Sequence, residues 1–143
     1  MKLKKYSLVH EIFEAASKGR LKSDKVEILK YNDCVQIRDY LRCFYDDRVQ
    51  FALPEGKPPY TPAGEHTAPT NLMRKNKELQ YLVKGIPACD RMAKMKREQK
   101  FIELLEGIHP KDAELLIDMV NKNTPKGISK EVVKEAFPGL LPD

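Results

Sequence analysis

Half of the ten prolines in the 143-residue chain stand between Pro54 and Pro69, at positions 54, 58, 59, 62 and 69. Each fixes its own φ and removes a backbone donor, so neither a helix nor a paired strand can run through this stretch. The stretch therefore divides the chain, and whatever is regular must lie before it or after it. The apolar residues on both sides recur at three- and four-residue intervals, the period of a helix with one buried face. Ile37, Tyr40, Leu41 and Phe44 show this most cleanly.

Before the prolines, three helices are expected. Leu8–Lys18 is capped by Ser7 and ended by Gly19, with Leu8, Val9, Ile12, Phe13, Ala15 and Ala16 on its apolar face. A shorter helix runs from Ser23 through Tyr31, and a third, Cys34–Tyr45, is capped by Asn32 or Asp33. Val49, Phe51 and Leu53 then alternate as in a strand, but a lone strand has no obvious partner; an arm laid over the helices, or a continuing helix, serves as well. Tyr60 would pin the proline-rich connection.

After the prolines, a helix over Leu72–Lys84 is expected, divided in two if Asn76 interrupts it, and closed by Gly85. A link at Ile86–Cys89 leads to a long helix, Asp90–Glu106, which Asp90 caps and Gly107 ends. Pro110 suits the first position of the following helix, where Asp112 complements the positive helix end. Ser129 caps the last helix, with Ile128 stapling it to Val133, and Pro138 stops it. Leu140 and Leu141 fold back.

The expected architecture is an all-α or nearly all-α compact bundle of about seven short helices around a proline-rich central loop. One domain is expected across 1–143, comprising a three-helix part at 1–47, a connection at 48–70 and a helical part at 71–143. Neither part is large enough to be comfortable alone. Core candidates are Ile12, Phe13, Leu29, Ile37, Leu41, Phe44, Phe101, Leu104, Leu105, Leu116, Ile117, Val133 and Phe137.

Composition enters through charge. The formal net charge of +5 is unevenly placed. Residues 1–30 carry a net +4, 31–71 a net −2, 72–100 a net +6 and 101–143 a net −3. A block of nine cations and three anions over 72–100 raises local affinity for anions. Arg91, Lys94 and Arg97 would lie at i, i+3 and i+6 of the long helix, with Arg74 and Lys75 on the preceding segment and Lys100 further along. These six residues are the candidate phosphate contacts, and Tyr81 or Tyr60 could stack on a base. The competing explanation is a solvated surface, interrupted by Glu78 and Glu98.

Other chemistry is poorly represented. His10-Glu11-Ile12-Phe13-Glu14 lacks the second histidine of a zinc-protease helix, so His10 and Glu14 are read as a surface pair. Asp47 with Glu55-Gly56-Lys57 is a superficial match to a metal-dependent nuclease, but the flanking prolines argue against the paired strands such a site needs. There is no phosphate-binding glycine loop and no nucleophile elbow. The three cysteines, Cys34, Cys43 and Cys89, are far apart with no CxxC pair. They fit buried thiols in a reducing cytosol. No leader is read at the N-terminus, because His10, Glu11 and Glu14 interrupt its apolar run. No apolar run approaches the ~20 residues of a membrane span. The expectation is a non-enzyme with no catalytic residue, metal, cofactor, small-molecule substrate or membrane partner.

Three stretches carry a resemblance: Leu53-Pro54-Glu55-Gly56 through Pro58-Pro59-Tyr60-Thr61-Pro62; Asn71-Leu72-Met73-Arg74-Lys75; and a C-terminal part. The last includes Phe101-Ile102-Glu103-Leu104-Leu105-Glu106, His109-Pro110-Lys111-Asp112-Ala113 and Lys126-Gly127-Ile128-Ser129 to Leu141. In these the chain resembles an uncharacterised family of small proteins carried by T4-type tailed phages, notably those of marine bacteria. The resemblance supplies no catalytic residues. It implies a phage-encoded protein acting in the cytoplasm of an infected bacterium or forming part of the virion. Charge and resemblance together make a DNA- or RNA-binding accessory protein the leading expectation. The alternative is a protein-interaction or virion-assembly module engaging a phage or host protein without nucleic acid.

Overall fold

The computed structural model describes residues 2–142, and the all-α expectation holds among them. Eight α-helices follow in order: α1 Val9–Ser17, α2 Lys22–Tyr31, α3 Val35–Tyr45, α4 Leu72–Lys75, α5 Pro87–Asp90, α6 Lys94–Gly107, α7 Pro110–Val120 and α8 Lys130–Ala136. A 3-10 helix, Asn76–Tyr81, lies between α4 and α5.

Amphipathic spacing explains the long helices. Val9, Ile12, Phe13 and Ala16 recur at i, i+3, i+4 and i+7, and all are buried; Ile37, Tyr40, Leu41 and Phe44 do the same on α3. Helix α7 is the hub, packing against α1, α3 and α6, while α2 lies between α1 and α8. All thirteen core candidates are buried in one continuous cluster, which draws on residues before and after the prolines. Each fully buried large side chain, Leu29 or Leu116 for example, contributes about 1.5–3 kcal/mol relative to leaving it exposed. Two buried tyrosines stitch distant segments together. The Tyr40 hydroxyl donates to the Leu72 carbonyl and the Tyr45 hydroxyl to that of Ile128, each at 2.6 Å.

The helix starts differ from expectation. Ser7 is not a cap, and α2 begins at Lys22, one residue before Ser23. Leu8 and Leu21 precede α1 and α2, and the carboxylates of Glu11 and Asp24, three residues on, accept from their backbone N–H groups. Cys34, rather than Asn32 or Asp33, precedes α3. The Asn32 side chain instead accepts from Tyr6 N–H and donates to the Lys4 and Ile28 carbonyls, while the Asp33 carboxylate is held by Arg38. Ser129 does cap α8, accepting from Val132 N–H. Leu140 and Leu141 do fold back into the core.

The most consequential departure concerns His10, expected at the surface beside Glu14. His10 is buried, and its Nδ1 lies 2.8 Å from the Asp112 carboxylate, which is 0% exposed. The same carboxylate accepts the His10 backbone N–H at 2.9 Å and reaches that of Leu72 at 3.5 Å. Those amides belong to the first turns of α1 and α4, which have no partner inside their own helices. One anion on α7 therefore satisfies the starts of two other helices, where the helix dipoles also favour negative charge. The His10 ring stacks on His109 at 4.4 Å, and Glu14 pairs instead with Lys111.

Two lysines do the converse at helix C-termini, where carbonyls lack partners. Lys25 donates to the carbonyls of Ser17, at the end of α1, and Gly127. Lys122 donates to those of Cys43 and Asp46, at the end of α3, and burial holds its pKa below the ordinary lysine value.

The proline-rich stretch carries no helix or strand and is tied down along its length. Asn121 binds both the N–H and the carbonyl of Gly56; Glu106 accepts from Thr61 N–H, and the Gly107 carbonyl from Thr70 N–H. Tyr60 packs against the core, as expected of a pin. The preceding arm finds a partner that periodicity did not reveal. Phe51 bridges antiparallel to Val83, with Ala52 N–H donating to Leu82 and Lys84 N–H to Gln50.

Candidate nucleic-acid interface

The basic segment is built from short pieces instead of the two helices expected. Asn71 caps α4, its side chain accepting from Arg74 N–H at 3.1 Å. After Lys75 the buried residues, Leu79 and Leu82, are three positions apart, with the half-buried Asn76 three positions before them. That is the period at which side chains eclipse in a 3-10 helix, so the chain tightens here: the helical region over Leu72–Lys84 is divided at Asn76, the interruption the sequence allows, with α4 ending at Lys75 and the 3-10 helix ending at Tyr81. Gly85, at φ +90°, turns the chain after the bridge, and Pro87 opens α5 at its first position.

Asp90 was expected to cap the long helix. It is the last residue of α5, and its carboxylate accepts from Gly85 N–H at 3.1 Å. Helix α6 starts only at Lys94, after a break at Arg91–Ala93. Arg91 therefore does not share a helix with Lys94 and Arg97. Apolar spacing calls for Phe101, Ile102, Leu104 and Leu105 to be buried at the far end of this helix: Phe101, Leu104 and Leu105 are, but Ile102 is only half-buried, and at the near end Lys94, Met95 and Lys96 are exposed.

The pieces are gathered by contacts within the segment. The 3-10 helix packs against α4 and α5. Arg97 reaches across from α6, donating from Nε to the Ala52 carbonyl at 2.7 Å and from Nη1 to those of Cys89 at 3.1 Å and Met92 at 3.0 Å. Lys100 pairs with Glu78 of the 3-10 helix at 3.3 Å, and its ammonium lies 4.7 Å from the centre of the Tyr81 ring. Of the six expected phosphate contacts, then, Arg97 and Lys100 are internal ties that shape the segment. Arg74, Lys75, Arg91 and Lys94 have no ion pair among the described residues, and Arg74, Arg91 and Lys94 are exposed.

Three further cations in the segment, Lys77, Lys84 and Lys96, are exposed and likewise have no ion pair among the described residues. Their exposure was legible only in part, because a helix period places Lys77 and Lys96 differently once the helix boundaries move. Seven cations thus stand between Arg74 and Lys96. The carboxylates interleaved with them are engaged, Glu78 by Lys100 and Asp90 by Gly85. Of the eight N-terminal basic residues, four are engaged: Lys22 pairs with Glu135, Lys25 holds backbone carbonyls, and Lys4 and Lys5 lie over Tyr6 and Tyr31, while Lys2, Lys18, Arg20 and Lys30 have no ion pair among the described residues.

Among the described residues, no group of three or more His, Cys, Asp or Glu side chains is arranged to hold a metal ion. Cys43 and Cys89 are buried and Cys34 half-buried, all as free thiols. No helix among the described residues is long and apolar enough to cross a membrane.

Residues 12–126 match the model of a family described as "Family of unknown function (DUF6433)". The match spans α2 to α7, the whole basic segment and Asp112, and ends before α8. No curated protein and no solved structure matches the chain.

Proposed function

The chain belongs to this family of unknown function, and we propose that it is a non-enzymatic accessory protein that binds DNA or RNA through their phosphates. One observation carries the proposal: seven lysines and arginines, Arg74, Lys75, Lys77, Lys84, Arg91, Lys94 and Lys96, stand on one folded segment with no ion pair among the described residues. Such an array gains free energy from counterions that a polyanion releases when its phosphates are neutralised. Arg97 and the Lys100–Glu78 pair hold the array in shape, so little ordering is left to the moment of binding. The motif resemblance to T4-type phage proteins supports a phage-encoded protein working in the host bacterial cytoplasm or in the particle.

The test is fluorescence anisotropy with labelled single-stranded and duplex oligonucleotides across a salt series. Micromolar or tighter binding at low salt is expected, weakening linearly on a log–log plot. Replacing Arg74, Lys77, Lys94 and Lys96 together by glutamine should lower the slope by about 3, at roughly 0.7–0.9 per phosphate contact. Absence of binding at low salt refutes the proposal.

A protein-interaction or assembly role is favoured by a different observation. Met95, on α6, is 84% exposed, beside a shallow trough that includes Ile102. Exposed methionines suit adaptable protein contacts. A stable oligomer or a captured phage or host protein that Met95→Lys abolishes would favour that role.

A further inference from the structure

Beside the cations lies an open groove of about 420 Å³, in the lower part of the range of about 300–1,000 Å³ typical of small-molecule sites. The basic segment forms one side through Leu79, Val83 and Ile86; α3 and the extended arm form the other through Cys43 and Val49. These walls are apolar. Burial pushes the Cys43 thiol up to about 12, so the thiol stays neutral and brings no negative charge to the cleft.

The rim is polar and selective. Lys77 stands on it, and Lys84 follows Val83 directly in sequence. Arg42 presents a half-exposed guanidinium, a plane on which a base can stack. The Asp39 carboxylate is fixed between Arg42 Nη1 at 3.2 Å and Asn76 Nδ2 at 3.5 Å, yet remains partly exposed. A carboxylate only accepts hydrogen bonds, so it favours bases that offer an amino group. Apolar walls, a planar cation, an oriented acceptor and the Lys77 ammonium group are complementary to one chemical unit, a heterocyclic base carrying a phosphate.

We propose that this cleft takes the base of an unpaired nucleotide within a single strand, with preference for amino-bearing bases such as cytosine. The proposal rests on the nucleic-acid reading above and deepens it. A base paired within a duplex presents neither its faces nor its pairing edge to the cleft. The protein is thereby a single-strand binder that anchors the strand at one base and tracks its phosphates along the cationic segment.

Methyl NMR on the intact chain tests the proposal without mutation. Oligo(dC) should shift the methyl signals of Val49, Leu79, Val83 and Ile86, cytidine 5′-monophosphate should shift the same signals at higher concentration, and inorganic phosphate should leave them unmoved. In anisotropy, oligo(dC) should bind more tightly than oligo(dT) of equal length, and Asp39→Asn should erase the difference. Val83→Phe, which fills the cleft, should weaken single-strand binding by about tenfold, the scale of one lost stacked base, with duplex affinity retained. Oligonucleotide binding with the cleft methyls unmoved overturns the proposal and leaves the phosphate-binding surface standing. Shifts with the free mononucleotide but not with the strand also overturn it, in favour of a small-molecule nucleotide site. If no oligonucleotide or mononucleotide binds at low salt, both readings fall together.

Discussion

Replacing Asp112 by alanine removes one carboxylate and strands three donors: the His10 ring at 2.8 Å, the His10 amide at 2.9 Å and the Leu72 amide at 3.5 Å. An unsatisfied buried donor costs about 1–3 kcal/mol, so the two shorter bonds at mid-range account for about 4 kcal/mol. The longest adds little, and the few per cent exposure of His10 lets its ring recover part of the loss to water. The expected destabilisation is about 3–4 kcal/mol, a large share of a total that for such chains is about 5–15 kcal/mol. Asp112→Asn keeps one acceptor oxygen for His10 and should lose about half as much. Urea unfolding followed by far-UV circular dichroism measures both, with the slope unchanged if the folded state stays compact. A His10→Ala, Asp112→Ala cycle should fall short of additivity by about 1–3 kcal/mol. An alanine variant within about 0.5 kcal/mol of the parent, the range of ordinary surface changes, would refute the view that this anion joins three helices.

Arg97→Ala should lower stability by about 2–3 kcal/mol, because three carbonyls lose a charged donor, whereas Lys94→Ala should stay within about 0.5 kcal/mol; thermal melts compare the two. Gly127 adopts φ +85°, and a Cβ there would lie 2.7 Å from the Ser17 carbonyl oxygen, so Gly127→Ala should cost at least about 2 kcal/mol in urea and show altered amide signals at the end of α1. The Asp46 carboxyl titrates below its ordinary 3.8, chiefly because the Arg48 guanidinium hydrogen-bonds to it, against an opposing effect of burial. The folded state thus favours the ionised form, and the stability this adds is present above pH 3.8 and lost as pH falls through the lower folded value. Arg48→Ala should therefore be less stable than the parent at neutral pH, with the gap closing in acid; a gap that persists fully at pH ~2 would contradict that assignment.

The parts of this fold that sequence periodicity could reveal were those in which neighbours on one helix share an environment. The stripe Ile37, Tyr40, Leu41 and Phe44 identified α3 and its buried face because a period of 3.6 repeats over three turns. The break at Arg91–Ala93 was hidden because an aspartate before a charged, helix-prone run looks like a cap; the competing sign was Pro87, which starts its own short helix three residues earlier. Arg97 looked like an exposed cation because its acceptors include Ala52, 45 residues away. His10 and Asp112 each satisfied a local rule, a helix-surface pair and a dipole complement, while their decisive contact spans 102 residues. The cleft beside α3 was equally out of reach, since Asp39 and Asn76, 37 residues apart, meet only once the arm and the 3-10 helix have docked.

That span of 102 residues has a kinetic corollary. At about 5–20 residues per second, a ribosome adds the residue that completes the beginning of α1 about 5–20 s after the helix itself has been made. During that interval the leading segment carries an open amide end and an apolar stripe that α2 covers only in part. A nascent chain stalled before position 112 should therefore be a better chaperone client, and more readily cut near Val9, than one stalled after α7 has emerged.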